Sequence, residues 1–93
     1  VNGRKLLGSA QNRRAGFVLQ HGSLPLVGDL TRLIDCLKFP SEAERDALRR
    51  SLAHHATTVE EVTGHWVTFD EAATALTAGF ENALGIELVP GDL

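Results

Sequence analysis

An α+β fold is predicted for this 93-residue chain by three observations. Five of its nine glycines (Gly3, Gly8, Gly16, Gly22 and Gly28) fall in the first 28 residues, around two short runs with strand character. From Asp29 onward the apolar residues recur at helical spacing instead. Three Ser/Thr-x-x-Glu boxes then follow one another, each marking a helix start. The expected order is a β-hairpin, about four helices and a terminal strand, as part of a larger mixed-sheet catalytic domain.

The first strand is expected over Arg4–Gln11 and the second over Phe17–Val27, joined by the polar, Gly-ended loop Asn12-Arg13-Arg14-Ala15-Gly16. In the second run Phe17, Leu19 and His21 point one way, while Val18, Gln20 and Gly22 point the other. Pro25 lacks a ladder donor, so the strand frays or lies at an edge there. The first helix begins near Asp29, a capping residue. Its stripe is Leu30, Leu33, Ile34 and Leu37, and Pro40 stops it. Ser41 with Glu44 opens a second helix running to about His54, and Thr58 with Glu61 opens a short third one ending at Gly64. Thr68 with Glu71 opens the longest, whose apolar face comprises Phe69, Ala72, Ala73, Leu76, Phe80, Ala83 and Leu84. Gly85 suits a left-handed C-cap, and Ile86–Val89 reads as the closing strand. A hairpin and one lone strand are marginal by themselves. With the missing initiator Met, this makes a segment of a longer or split chain the working expectation.

Composition narrows the function classes. The chain is 43% hydrophobic and 23% charged, ordinary for a globular protein. No apolar run approaches the roughly 18 residues of a membrane span, and Val1-Asn2-Gly3-Arg4-Lys5 is not a secretory leader. Cys36 alone cannot form an internal disulfide, and no Cys/His group has zinc spacing. These features are read as cytoplasmic, with no metal site and no membrane partner. The net charge of −3 is uneven: Arg4, Lys5, Arg13 and Arg14 give the first 28 residues +4, and the remainder carries −7. An anionic ligand would therefore meet the N-terminal part, unless the hairpin is simply basic and solvated.

The informative stretch is Gly3-Arg4-Lys5-Leu6-Leu7-Gly8-Ser9-Ala10-Gln11, then Arg13-Arg14, then Leu19-Gln20-His21-Gly22-Ser23. It sets a lysine before a Gly-Ser-Ala shelf with almost no side-chain bulk, where a ligand can approach the backbone closely. A lysine there can hold a carboxylate, carbonyl oxygen or phosphate, or lower the pKa of a nearby thiol. A plain twisted hairpin with a solvated lysine is the alternative.

These segments closely resemble the lipoate–protein ligase and octanoyltransferase family. The likeness continues more loosely through Lys38-Phe39-Pro40-Ser41, Val67-Thr68-Phe69-Asp70-Glu71-Ala72, Gly79-Phe80-Glu81 and Gly85-Ile86-Glu87-Leu88. The resemblance implies that residues 1–93 are a C-terminal part of that catalytic domain. It implies that Lys5 is catalytic, contacting the acyl carbonyl or acyl-adenylate and activating the nucleophile in cysteine-dependent members. It implies that Gly8, Ser9 and Ala10 line an acyl tunnel, with His21 and Gly22 on the facing strand, His21 shaping the pocket rather than acting as a base. Gly-Ser-Ala-Gln paired with Leu-Gln-His-Gly-Ser looks most like the cysteine-dependent octanoyltransferases. These need no cofactor and move an octanoyl group from acyl carrier protein to a lysine of a lipoyl carrier domain. An ATP-dependent lipoate ligase, requiring ATP and magnesium, is the alternative within the family.

The departures matter equally. The family's Arg-Arg-x-Thr-Gly-Gly-Gly loop and the cysteine nucleophile both lie upstream of the matching region, so the chain alone is expected to be inactive and to need the rest of the domain. Cys36 lies off the apolar stripe of the first helix and reads as a surface thiol. Adjacent His54 and His55 point apart and cannot share one metal. His65-Trp66 reads as a packing pair beside a loop. Arg45, Arg49 and Arg50 with Glu42, Glu44 and Asp46 read as a solvated mixed-charge face. A basic module binding nucleic acid or another polyanion is the reading from a different class. Phe17 is the one aromatic in the basic segment, a poor stacking platform, so nucleic acid is not expected as a partner.

Overall fold

Strand β1 (Gly8–Arg14) turns back through Ala15 and Gly16 into β2 (Phe17–Ser23). The computed structural model, which describes residues 1–91, pairs the two antiparallel from Gly8↔Ser23 to Arg14↔Phe17. Gly16 has φ +88° whereas Ala15 does not enter the left-handed region, the sign pattern of a type II turn, which places glycine second. Four helices follow: α1 (Arg32–Asp35), α2 (Glu42–His55), α3 (Val59–Thr63) and α4 (Phe69–Leu84). The chain is therefore α+β, a hairpin followed by helices.

All three boxes cap as the sequence predicts. Ser41 Oγ, Thr58 Oγ1 and Thr68 Oγ1 each accept the N–H of the residue three positions on, at 3.2 Å. Gly64 and Gly85 close α3 and α4 at φ +80° and +64°. The first helix is shorter than its apolar stripe. Asp29 Oδ1 accepts from both the N–H and the hydroxyl of Thr31 (2.9 and 2.6 Å), and the chain after it makes tight turns, Arg32 N donating to Asp29 O (3.2 Å) and Leu33 N to Leu30 O (3.3 Å), before the short helix.

Asn12, Arg13 and Arg14, expected in the loop, continue β1 up to the turn, while at the far end of the hairpin both strands fall short of their expected bounds, Arg4 and Val27, for one reason. Continued in register, the ladder would set Leu6 opposite Pro25, which has no N–H to offer. The two chains splay instead, and the turn between α2 and α3 enters between them. Lys5 thus precedes β1 rather than lying within a strand. It forms a single parallel bridge to Ala56: its N–H donates to His55 O (2.7 Å) and its carbonyl accepts from Thr57 N (2.9 Å). On the other side, Val59 N and Glu60 N donate to Pro25 O (3.0 Å) and Leu26 O (2.9 Å).

Ile86–Val89 is not a strand. Gly85 and Ile86 N–H groups both turn back to Glu81 O, and Leu88 N–H donates to Glu81 Oε1 at 2.9 Å. Among the described residues no sheet edge reaches this segment, and Glu81 takes its donors instead.

Burial is sparse. Ile34 (2% exposed) is the one fully buried apolar side chain among the described residues, and the other two buried residues are Thr57 and Thr58. The arginines of α2 account for Ile34. Arg45 donates to Ile34 O (3.0 Å) and stacks over Phe39 at 5.0 Å, while Arg49 reaches Thr31 O (3.3 Å) and Asp35 (2.5 Å). Spaced four apart, they share a helix face and clasp α1, so this face is half-buried rather than solvated. The Asp35 carboxylate holds the Arg49 guanidinium above its usual pKa. Trp66, by contrast, is 71% exposed and packs on nothing that would make it a core residue. The adjacent histidines end α2 in solvent, with His55 Nδ1 2.7 Å from Ser51 O. None of the helices is long and apolar enough to cross a membrane.

Ile34→Ala is expected to cost about 2–5 kcal/mol in urea unfolding, a loss typical of a cavity in a packed site. The two hydrogen bonds from Thr31, the hydroxyl's first, hold the Asp29 carboxyl below its ordinary value of 3.8. A folded-state pKa below the unfolded one contributes stability that is complete above the unfolded value and is lost as pH falls through the folded one. A carbon NMR titration should give Asp29 a midpoint under 3.8, and Thr31→Val should move it upward.

Candidate functional site

A groove of about 420 Å³ separates the hairpin from α4. Leu7, Ser9, Gln20, Gly22, Leu24 and Leu26 form one wall. The opposite wall is α4, through Phe69, Ala72, Ala73, Leu76 and Phe80, members of the stripe expected from spacing. The two walls do not pack on one another, so the apolar face of α4 stays open, with Phe69 77% and Phe80 52% exposed.

Strand alternation divides the predicted site residues between the two hairpin faces. Ser9 and Gly22 are directly paired and share the groove-side face with Gln20. Gly8, Ala10 and His21 alternate to the other face, the latter two cross-strand partners, although His21 also borders the groove. Lys5 joins Gly8: a methyl group added there would lie 3.4 Å from Lys5 Cε, 3.5 Å from its Nζ and 3.8 Å from Ser23 Oγ. The ammonium therefore sits over the Gly8–Ser23 end of the hairpin, exposed, and does not line the groove itself.

Gly22 is the position where bulk is least tolerable. A Cβ would fall 2.5 Å from Gly8 O, 3.1 Å from Ser9 Cβ and 3.2 Å from Ser9 Cα. The two strands approach there closely enough that only hydrogen fits, which leaves the groove a floor of backbone and small side chains. An alkyl chain laid against such a floor would meet apolar carbon on the α4 side and almost no side-chain bulk on the other.

Behind Lys5 lies a group of residues that sequence reasoning did not single out. Arg4 Nη2 reaches Ala53 O (3.0 Å), Ala56 O (2.5 Å) and Glu61 Oε2 (2.9 Å). Thr57 Oγ1 donates to the same Glu61 oxygen at 2.9 Å. Thr58 was legible as a cap, but nothing local marks Thr57 as buried or assigns Arg4 a partner 52 residues away. Cys36, on the first residue beyond α1, is free and exposed, with Sγ 3.9 Å from Arg32 O and no part in the groove.

The family model for the lipoyl protein ligase A/B catalytic domain matches residues 1–81, which include Lys5, the whole hairpin and most of α4. The chain belongs to this family. It is 45% identical over all 93 residues to a protein from Kyrpidia tusciae named octanoyltransferase LipM, and 43% identical to the one from Bacillus subtilis. The Bacillus anthracis protein of the same name is 42% identical over the same span. In each case the match takes in the whole of this chain and 34% of the relative, so the chain spans about a third of the length of these curated proteins. No solved structure matches it. The family membership agrees with the resemblance carried by the lysine, the Gly-Ser-Ala shelf and the Leu-Gln-His-Gly-Ser strand.

Gly22→Ala is expected to lower stability by about 1–3 kcal/mol in chemical denaturation, the usual cost of forcing an atom into a packed contact. Gly8→Ala should cost less, because its methyl group would meet only the end of a flexible lysine at ordinary contact distance.

Proposed function

We propose that the protein carrying this segment transfers an octanoyl group from acyl carrier protein to a lysine of a lipoyl carrier domain. The observation that carries this reading is the juxtaposition of a free ammonium, Lys5, over Gly8 and Ser23 with an apolar groove on the far side of the same two-stranded ribbon. The relatives named octanoyltransferase support the choice of acyl group.

The chemistry assigned to this segment follows from those groups. An ammonium close to a thioester carbonyl stabilises the negative charge that develops on oxygen as the carbonyl carbon is attacked, and it favours the thiolate form of a neighbouring cysteine. Ser9 and Gly22 give the acyl chain close passage along the groove floor, and His21, at its border, shapes the end of that passage; Gly8 and Ala10, expected to line it too, alternate to the face where Lys5 lies. The nucleophile comes from outside these 93 residues, since Cys36 lies on neither face of the ribbon. The open groove, with its α4 wall uncovered, is half of a pocket. Its other half belongs to the remainder of the catalytic domain, and the 93 residues alone do not transfer.

A ligase that activates free lipoate with ATP and magnesium is the second reading, favoured by the breadth of the family description, which takes in ligases.

With the complete protein, octanoyl-acyl carrier protein and a lipoyl carrier domain, transfer should proceed without ATP, and Lys5→Met should lower kcat by about 100-fold or more, as for loss of an oxyanion donor. Transfer that requires ATP and survives mutation of the upstream cysteine would establish the ligase reading instead. Lys5→Met at wild-type rate would remove the lysine from the mechanism.

A further inference from the structure

We propose that Arg4 is a positioning residue for Lys5, acting through the α2–α3 turn; the inference deepens the acyl-transfer reading and rests on it for its kinetic consequences. Lys5 belongs to no strand, so its backbone is held only at its single bridge to Ala56, through His55 O and Thr57 N. Two of those three residues, Ala56 and Thr57, are held by Arg4 and by its partner Glu61. The guanidinium reaches Ala53 O and Ala56 O, which end α2, where free carbonyls and the helix dipole favour a cation. Glu61 Oε2 closes the group, taking Arg4 on one side and the hydroxyl of Thr57 on the other. Thr57 and Thr58 are 2% and 1% exposed, so this turn is one of the most tightly enclosed places in the chain.

The arrangement turns one charge into a fixed position for the next. The side chain of Arg4 pins the turn, the turn holds the main chain of Lys5 by two hydrogen bonds, and the Lys5 amine is thereby presented at Gly8 and Ser23, three and eighteen residues on. Charge-assisted bonds to a planar fork are stronger and more directional than those a flexible ammonium makes. All three acceptors meet Nη2, and Arg4 Nε is buried without a partner, so the head group is held from the Nη2 side.

The test uses the complete protein with Arg4→Met and, should that variant not fold, Glu61→Gln, which keeps the carbonyl contacts and removes the ion pair. Limited acetylation by an activated ester, read by mass spectrometry, gives the labelling rate of Lys5 relative to Lys38, the other lysine of this chain and itself exposed. The ratio is expected to change about threefold or more in Arg4→Met, and by less in Glu61→Gln, as the amine leaves its place. The value of kcat should fall by up to about 100-fold, the cost of a ~1 Å misplacement, with KM for both substrates within about twofold. An unchanged labelling ratio in a folded variant overturns the proposal whatever happens to activity. So does a loss confined to KM or to melting temperature. A wild-type protein that transfers no octanoyl group defeats the acyl-transfer reading, while the labelling ratio still decides whether Arg4 places Lys5.

Discussion

The insertion of the α2–α3 turn between two diverging chains is the constraint on which the rest of this structure depends. Pro25 cannot continue the antiparallel ladder, so the segments around residues 5 and 25 part. Backbone groups left there in a half-enclosed place would be costly unless paired. The turn supplies the partners: a carbonyl and an N–H for Lys5 on one side, and two N–H groups of the α3 N-terminus for Pro25 and Leu26 on the other. One short stretch of chain thereby fixes where the hairpin sits relative to the helices and where Lys5 emerges.

This polar wedge stands in for a hydrophobic core. A domain of this size ordinarily gains its stability by burying apolar surface, yet here Ile34 is the one fully buried apolar residue among the described residues, while Phe17, Leu19, Phe80 and Leu84 are more than half exposed. The chain spans a third of its relatives, and the apolar faces left open are those of α4 and the hairpin. The local order comes instead from capped helix ends, from the arginine clasp of α2 on α1, and from hydrogen bonds at the wedge. Such interactions are individually worth about 1 kcal/mol, which suits elements that must be pre-shaped and then completed by further packing.

How much of this was legible in sequence follows the range of each interaction. Caps, C-terminal glycines and the α4 stripe depend on residues three or four apart, and Ser41, Thr58, Thr68, Gly64 and Gly85 all hold the positions their spacing implied. The hairpin was legible in kind but not in extent, because the end of β1 is decided by Pro25, which is distant in sequence from Leu6. The closing strand failed for a related reason: Ile86–Val89 has strand composition, but strand formation needs an edge, and only Glu81 is within reach. Arg45 and Arg49 looked like solvent-facing charges because a charge pattern does not show which carbonyls lie opposite. Of the site, the lysine and the small-residue shelf were legible. Their division between the two faces of the ribbon required the register, and the Arg4–Glu61–Thr57 group required contacts across more than fifty residues.

That division bears on how a reaction could be organised here. Two strands make a wall one backbone thick, and the structure sets apolar space on one side and an ammonium over the other, near the end of the ribbon where the strands part. A long acyl group is itself divided in this way, an alkyl chain that seeks cover and a terminal carbonyl whose developing charge seeks a cation. The one position where the wall cannot accept even a methyl group, Gly22, is the partner of Ser9 beside that end. Under the proposed reaction, thinness at this point would let the two halves of a substrate be served from opposite faces of the same hairpin.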